Sequence, residues 1–250
     1  MKIAILIPST SKGRDSWKTI KDSYLYNYTL KTFLLTYDKE HEYTFYIGFD
    51  YDDRIYSKKS EQSQLTRFGN VFPNVSFDFT EYKNIKKGFL TKMWNILFKK
   101  AYDDGFDYFY QTGDDIQFKT KNWVNDSINI LKDHDNIGLS GPINNNPRIL
   151  TQAMVSRKHM EIFGFFFPEE IQNWCCDDWY NFVYKPNYFY PLKRHSCINA
   201  GGTPRYVINN NPTFRLNFNT NLEHLRTFTT KLSNKHKKRI KDYISKNSGH

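Results

Sequence analysis

The first half of the chain alternates apolar runs with segments of helical periodicity, and this alternation constrains the fold more than any other feature. The runs "KIAILIPS", "YTFYIGFD" and "VSFDFTEY" have the composition of strands. The best helical segment, "LTKMWNILFKKAYDDG", ends at the stop signal Gly105 and leads into a fourth strand, "FDYFYQTGDD". Its apolar face consists of Leu90, Met93, Trp94, Leu97, Phe98 and Ala101. The pattern predicts an α/β fold with a mainly parallel sheet.

Weaker helical signals fill the gaps between the first three strands. "DSYLYNYTLKTFLLTYD" has Leu25, Leu30, Phe33 and Leu34 near helical spacing, and "SEQSQLTRFGNVF" is a poorer helix former. After Gly141 the alternation stops in the Asn- and Pro-rich link "PINNNPRI". The C-terminal half therefore gives no regular pattern until a basic helix near the end.

Carboxylates follow the predicted strands. Asp50 ends the second strand, and Asp114 and Asp115 end the fourth. Ligands of parallel α/β sheets bind at the carboxyl ends of the strands, so these acids indicate a ligand or metal site. The alternative is a solvated turn, because Gly113 and adjacent aspartates also suit tight backbone geometry.

Composition and missing motifs exclude several common classes. The chain of 250 residues contains no phosphate-binding P-loop, no G-x-G-x-x-G and no H-E-x-x-H. Its three cysteines form no C-x-x-C pair, which indicates a reducing compartment. No apolar run approaches the roughly 18 residues of a membrane span. We therefore expect a cytoplasmic protein.

The order of five short motifs resembles the glycosyltransferases of the GT-A fold, and more closely the small glycosyltransferases of large DNA viruses. The motifs are "ILIPS", "IGFDYDD", "TGDD", "CCDDWY" and "HSCINAGGTPRY", and the resemblance covers Met1 to Tyr206. It implies a Rossmann-like, mixed and mainly parallel central sheet flanked by helices, with a C-terminal helical tail. One departure is that Gly113 stands where the family's Asp-x-Asp element usually begins with an acid.

The resemblance implies a divalent cation, Mn²⁺ or Mg²⁺, which neutralises the diphosphate of a nucleotide-sugar donor. Asp115 is the expected direct ligand, and Asp114 is expected to hold a ligand water or the ribose. His195 is expected to complete the metal shell, although a lone histidine is more often structural.

Further residues are assigned to the donor, with UDP as the expected nucleotide. Pro8, Ser9 and Thr10 would lie under the base. Asp50 would bind the base or ribose, Arg14 and Arg205 the phosphates, and Asn95 the donor as a whole. Ordinary loop solvation is the alternative for Asp50, and a solvent-facing polar residue is the alternative for Asn95.

The acidic pair Asp177 and Asp178 bears on stereochemistry, since an inverting transfer needs a carboxylate base for the acceptor hydroxyl. Neighbouring helical residues point about 100 degrees apart, so both cannot face one hydroxyl. We expect Asp177 to be the N-cap of a helix and Asp178 to be the base. Trp174 and Trp179 are candidates for sugar stacking, with core packing as the alternative in so aromatic a chain.

The resulting prediction is a metal-dependent glycosyltransferase of the hexosyltransferase type, acting on a glycan or glycoprotein acceptor. Residues 1–218 form the catalytic domain, and residues 219–250 form a basic tail that is dispensable for chemistry. The tail is interpreted as a solvated helix, with contact to an anionic membrane or to nucleic acid as alternatives.

Two rival functions remain. A sugar-phosphate nucleotidyltransferase usually has a Gly-rich first loop, which "PSTSKGRD" lacks, and a nucleic-acid-binding protein fits the net charge of +10 but lacks a recognisable module.

Overall fold

A computed structural model describes residues 1–201 and 218–247, with side chains of the last helix described from residue 222. Eight strands in these residues form one sheet: β1 Lys2–Ser9, β2 Glu42–Asp50, β3 Val75–Tyr82, β4 Tyr108–Gln111, β5 Ile116–Phe118, β6 Leu139–Ile143, β7 Ala153–Ser156 and β8 Phe189–Asn199. The helices are α1 Lys31–Thr36, α2 Lys59–Thr66, α3 Leu90–Asp103, α4 Trp123–Lys132, α5 Lys158–Phe163, α6 Cys176–Tyr184 and α7 Phe218–Asn247.

The strand order is β3-β2-β1-β4-β7-β6-β8-β5. The pairs β3–β2, β2–β1 and β1–β4 are parallel, as predicted, and β6 is parallel to β8. Strand β7 runs antiparallel to both β4 and β6, and β5 runs antiparallel to β8. Ser9 lies opposite Phe49, and Leu6 lies opposite Gln111. Because of this register, the loops after β1, β2 and β4 meet at one edge of the sheet.

The central strand β1 is buried on both faces. Ala4 and Leu6 pack in the core under α3, whereas Ile3, Ile5 and Ile7 pack in a second core on the opposite face. Successive side chains of a strand point to opposite faces, which explains why this strand is a continuous apolar run rather than an alternating one. Helix α3 spans the segment with the best helical pattern, so that prediction is confirmed.

The first predicted helix is not regular. A 3₁₀ turn at Ile20–Asp22 is followed by a π-helical turn at Leu25–Leu30, and only then by the short α1. The hydroxyl oxygens of Thr29 and Thr32 accept hydrogen bonds of 3.0 Å from the backbone N–H groups of Ile116 and Phe118. The irregular turn thus places two threonines against β5, a tertiary contact that spacing alone cannot predict.

Helix α7 packs on the domain, so its interpretation as a solvated tail is wrong. Its apolar residues Leu225, Leu232 and Ile240 are buried, whereas Phe228 is 40% exposed. A buried hydrogen bond of 3.2 Å joins Trp179 Nε1 to His236 Nδ1 on α7. The expected boundary after residue 218 coincides with the start of a helix that contacts α5 and α6. No helix in the described part of the chain is long and apolar enough to span a bilayer.

Candidate functional site

The loop after β1 is tied to the loop after β2 by hydrogen bonds between buried groups. Thr10 Oγ1 donates to the carboxylates of Asp50, at 3.2 Å, and Asp53, at 3.0 Å. Pro8 lies opposite Gly48 in the same pair of strands. The structure therefore brings together Pro8, Thr10 and Asp50, which the sequence analysis assigned to the donor.

Asp53 is a buried acid that the sequence analysis missed. Its carboxylate accepts hydrogen bonds from the backbone N–H groups of Ser11 at 2.6 Å, Ile55 at 3.0 Å and Tyr56 at 2.9 Å. These bonds fix the shape of both loops at the edge of the sheet. Its only sequence signal was its place in "DYDDRIY".

A cavity of about 440 Å³ opens where β2 and β3 end. It is lined by Asp50, Tyr51, Asp52, Tyr82, Lys83, Asn84, Ile85 and Lys87. Burial raises the pKa of the Asp50 carboxyl, and the hydrogen bond from Thr10 opposes that shift. At the mouth, Lys87 Nζ pairs with the exposed Asp52 carboxylate at 2.5 Å. The cavity thus combines a buried hydrogen-bond acceptor, two tyrosine rings and two lysines.

The two acids after β4 have different environments. Asp114 is fully buried, and its Oδ2 accepts a hydrogen bond of 2.6 Å from Ser9 Oγ. The Ser9 hydroxyl also lies 2.8 Å from the hydroxyl of buried Tyr56. Asp115 is only partly buried and lines a second cavity. Asp114 therefore joins β4 to β1, while Asp115 is the accessible carboxylate.

Two glycines make room for the Asp115 carboxylate. A Cβ atom on Gly201 would lie 1.9 Å from Asp115 Oδ2, and one on Gly113 would lie 2.7 Å from Oδ1. Neither position can carry a side chain without moving Asp115. Gly113, which departs from the family's Asp-x-Asp pattern, is thus part of the slot that holds the carboxylate. Arg14 reaches the same slot, with Nη2 3.4 Å from the carbonyl oxygen of Gly201.

The second cavity has a volume of about 570 Å³ and contains one acid from each acidic pair. Its described lining is Trp94, Gln111, Gly113, Asp115, Asn145, Asn146, Thr151, Gln152, Asp177 and Asn199. These residues come from α3, the ends of β4 and β8, the 144–152 loop and the start of α6. We call this cavity the cleft.

Asp177 is not the N-cap of α6, contrary to the sequence prediction. The N-cap is Cys175, in the left-handed conformation with φ 67°, and Asp177 is the second residue of the helix. The helix thus begins two residues earlier than the sequence suggests, and Asp177 in its first turn lines the cleft. Burial, and after it the Asp178 carboxylate, raise the pKa of Asp177 to about 7.

Asp178 is held by the loop that forms one wall of the cleft. Its Oδ1 lies 3.1 Å from Arg148 Nη2, and its side chain is 6% exposed. The same helix binds Leu150, because Asn181 Oδ1 accepts from the Leu150 N–H at 2.9 Å and Asn181 Nδ2 donates to its carbonyl at 2.7 Å. Helix α6 therefore carries Asp177 and also fixes the 144–152 loop.

Two predicted site residues lie apart from these acids. His195 Nε2 is 2.8 Å from Asp126 Oδ2, and His195 Nδ1 is 3.2 Å from Thr120 Oγ1. Both ring nitrogens thus serve contacts between β8 and the α4 region. Asn95 Oδ1 accepts from the N–H groups of Phe166 at 3.0 Å and Phe167 at 2.8 Å, so it holds the 165–169 turn.

The other predicted site residues are Trp174, Trp179 and Arg205. Trp179 is fully buried in the core, as the core alternative predicted, and it does not line the cleft. Trp174 is partly buried and lies outside the described lining of both cavities. Arg205 lies outside the described residues.

A divalent cation fits the donor set at the cleft. In residues 1–201 and 218–247, no three His, Cys, Asp or Glu side chains are arranged to hold a metal ion. Mg²⁺ in enzymes of phosphorylated substrates is commonly held by one or two carboxylates, with waters and substrate phosphates as the other ligands. Asp115, with hard oxygen atoms in an accessible slot, meets that requirement.

Comparison with known proteins identifies the fold. No protein-family model and no curated protein matches the sequence. Among solved structures, TarS 1–349 from S. aureus in complex with UDP-GlcNAc superposes with a TM-score of 0.54 at 13% identity, over 83% of this chain and 62% of that chain. The UDP complex of TarS 1–349 gives 0.54 at 11% identity, over 98% and 72%. The chain has the GT-A fold.

The likeness does not extend over the whole of the longer TarS protein. A third structure, S. aureus TarS, superposes with a TM-score of 0.54 at 13% identity over 80% of this chain, which spans only 37% of that chain. At such identities the superposition establishes the fold and not the activity. In this chain, the two cavities lie at the edge of the sheet where the parallel strands end.

Proposed function

We propose that this chain is a metal-dependent glycosyltransferase that moves a sugar from a UDP-type nucleotide-sugar donor to a hydroxyl of a glycan or glycoprotein. The observation that carries the proposal is that Asp115 and Asp177, from distant parts of the sequence, line one cleft at the carboxyl edge of a GT-A sheet. The structures of TarS with UDP-GlcNAc and with UDP support the choice of donor. The hexosyltransferase type and the resemblance to viral enzymes stay predictions.

The donor is assigned to the two cavities in turn. The nucleotide occupies the 440 Å³ cavity, with Asp50 accepting from the base or ribose and Thr10 orienting Asp50. The diphosphate crosses toward the slot at Asp115, within reach of the Arg14 guanidinium. The transferred sugar occupies the cleft.

Asp115 is the residue that would hold Mn²⁺ or Mg²⁺, and the bound cation would supply charge neutralisation at the diphosphate leaving group. Asp114 acts indirectly, because its hydrogen bond with Ser9 fixes the end of β4 beside β1. Ser9 is therefore a positioning residue in this proposal.

The reaction proposed is a single inverting displacement. A carboxylate removes the proton of the acceptor hydroxyl, the oxygen forms a bond to the anomeric carbon, and the bond from that carbon to the diphosphate breaks. We favour Asp177 as the base over Asp178. Asp177 lines the cleft and has a pKa of about 7, whereas Asp178 is paired with Arg148.

Calorimetry of UDP binding with and without Mn²⁺ tests the proposal. Wild-type protein should bind UDP more tightly with Mn²⁺, and Asp115→Asn should weaken binding in Mn²⁺ by about tenfold or more, because it removes a charged ligand. The matched control is Asp103→Asn, an exposed carboxylate paired with Lys99 on α3. Equal affinity and equal Mn²⁺ response in Asp115→Asn and wild type would contradict the metal site.

A further inference from the structure

Helix α7 has a basic, solvent-facing side that the proposed function does not use. Its residues Phe218–Asn247 contain eight lysines and arginines against two acids, so this helix carries more than half of the chain's net charge of +10. The other side is covered, because Leu225, Leu232 and Ile240 are buried and α7 contacts α5 and α6. The basic residues are thus presented outward by a helix that is docked on the domain.

Four lysines form a stripe along this side: Lys231, Lys235, Lys238 and Lys241. All four are exposed. Residues three, four and seven positions apart lie on the same face of a helix, and a rise of about 1.5 Å per residue spreads these four over about 15 Å. None of them takes part in an ion pair among the described residues. We call this set the lysine stripe.

The composition of the stripe favours an anionic lipid surface over nucleic acid. A lysine ammonium is a compact point charge, whereas recognition of bases relies largely on the planar fork of arginine. Arg239 does not join the stripe, since its Nη1 donates to the Phe163 carbonyl at 2.9 Å and its guanidinium lies over the Phe165 ring. Phe228, one turn before Lys231, is 40% exposed, and an aromatic ring beside lysines suits the headgroup region of a bilayer.

The acids of α7 leave the stripe strongly positive. Asp242 lies beside it, four residues after Lys238, and Glu223 lies about two turns before Lys231. Basic clusters of this size attract acidic phospholipids through the negative potential of the bilayer surface. The buried apolar side of α7 stays packed on the domain, so the contact is electrostatic and needs no insertion.

We propose that the lysine stripe of α7 docks this protein on a membrane surface that contains acidic phospholipids. The inference is independent of the proposed sugar transfer, because no described α7 side chain lines either cavity. The contact is reversible and sensitive to salt, since dissolved ions screen the attraction between exposed charges.

Vesicle co-sedimentation tests the choice of lipid. Vesicles of phosphatidylcholine with about one-third phosphatidylserine are compared with vesicles of phosphatidylcholine alone. Wild-type protein should bind the acidic vesicles about tenfold or more tightly, and raising NaCl from about 50 mM to about 500 mM should remove most of this binding. Equal binding to the two kinds of vesicle, or no binding to the acidic ones, would overturn the proposal.

A matched pair of double variants separates the stripe from net charge. Lys231→Gln with Lys238→Gln should weaken binding to acidic vesicles by about tenfold, because each lysine near an anionic surface strengthens binding severalfold. Lys121→Gln with Lys132→Gln removes the same charge at exposed positions flanking and ending α4, which packs on the opposite face of the sheet from α7. This control should change the affinity about twofold or less.

Thermal unfolding and a nucleic-acid assay complete the test. Both double variants should melt like wild type, because the substituted side chains are exposed. Equal binding of the two variants to acidic vesicles would overturn the role of the stripe. Fluorescence anisotropy with a labelled oligonucleotide tests the other class of partner. If wild type binds the oligonucleotide through the stripe and does not bind acidic vesicles, α7 is a nucleic-acid surface and the proposal fails.

Discussion

In each of the two acidic pairs, Asp114–Asp115 and Asp177–Asp178, one carboxylate is bonded within the protein and the other lines the cleft. The order of the two roles is reversed between the pairs. In the pair after β4, the first acid, Asp114, is buried and bonded to Ser9, while the second, Asp115, lines the cleft. In the pair at the start of α6, the first acid, Asp177, lines the cleft, while the second, Asp178, is bonded to Arg148. Each pair thus supplies one structural and one accessible carboxylate.

The difference in order follows from the backbone that carries each pair. Asp115 immediately precedes β5, and the approach of Gly113 and Gly201 leaves its side chain a single slot. Asp177 and Asp178 lie in the first turn of a helix, where neighbouring side chains diverge by about 100 degrees. Which of them faces the cleft depends on where the helix begins, and that is set by Cys175.

The largest expected effect separates the two acids of the α6 pair. Asp177→Asn should lower the transfer rate by about 10²- to 10⁴-fold, the usual contribution of a general base, while UDP affinity persists. Asp178→Asn, the matched control, should lower stability first, because it leaves Arg148 without its partner. Steady-state transfer assays and UDP calorimetry on both variants test this. Loss of transfer in Asp178→Asn with a normal rate in Asp177→Asn would reverse the assignment.

The pH profile of transfer gives a smaller effect at the same residue. A base is active when deprotonated, so kcat should fall as the pH drops through about 7, the pKa to which burial raises Asp177. Below that value each pH unit should cost about tenfold, as for a single protonation. The measurement is kcat from pH 5 to 9, within a range where the melt remains cooperative. An acid limb near the ordinary aspartate value of about 4 would exclude Asp177 as the base.

Substitution of Arg148 should have the next largest effect on the transfer rate. Arg148 acts by positioning the wall of the cleft and does not contact the reacting atoms. Arg148→Gln should lower transfer by about tenfold, because it releases Asp178 and loosens the 144–152 wall of the cleft. It should also move the acid limb to higher pH, since the Arg148 charge lowers the pKa of Asp177. Arg148→Lys should restore part of the rate, and Arg194→Gln, at an exposed position on β8, is the control. An unchanged profile in Arg148→Gln would show that the pairing is not needed.

The comparison also explains how far the sequence predicts this molecule. The strands β1 to β4 and the helix α3 were predictable because their apolar spacing is local, and Asp50, Asp114 and Asp115 follow from the strand ends. The structural role of the Asn95 side-chain amide was not predictable. Asn95 binds backbone groups of the 165–169 turn, more than 70 residues away, so its helical position carries no signal for that role.

Side-chain contacts across long sequence separations account for the other differences. His195 contacts Asp126 on α4, and Arg148 contacts Asp178 on α6; neither pair has a sequence pattern. The antiparallel strand β7 between β4 and β6 was also missed as an element, because four buried residues in an irregular region match several templates. Tertiary packing, rather than local propensity, decides these features.

The smallest expected effect on transfer lies in α7, which supports α6 from outside the cleft. Ile240→Ala should lower the free energy of unfolding by about 2–5 kcal/mol, because Ile240 is 2% exposed in the core. Phe228→Ala, at a position 40% exposed, should change it by about 0.5 kcal/mol or less. Transfer per folded molecule should be unchanged in both, since no described α7 side chain lines either cavity.

Removal of α7 extends this test to the whole helix. Ending the chain near Asn219 should abolish the cooperative melt, because Leu225, Leu232 and Ile240 lose their burial and Trp179 loses its bond to His236. Thermal unfolding followed by circular dichroism measures this directly. If the truncated protein still melts cooperatively and transfers sugar, the sequence prediction that the tail is dispensable would be correct.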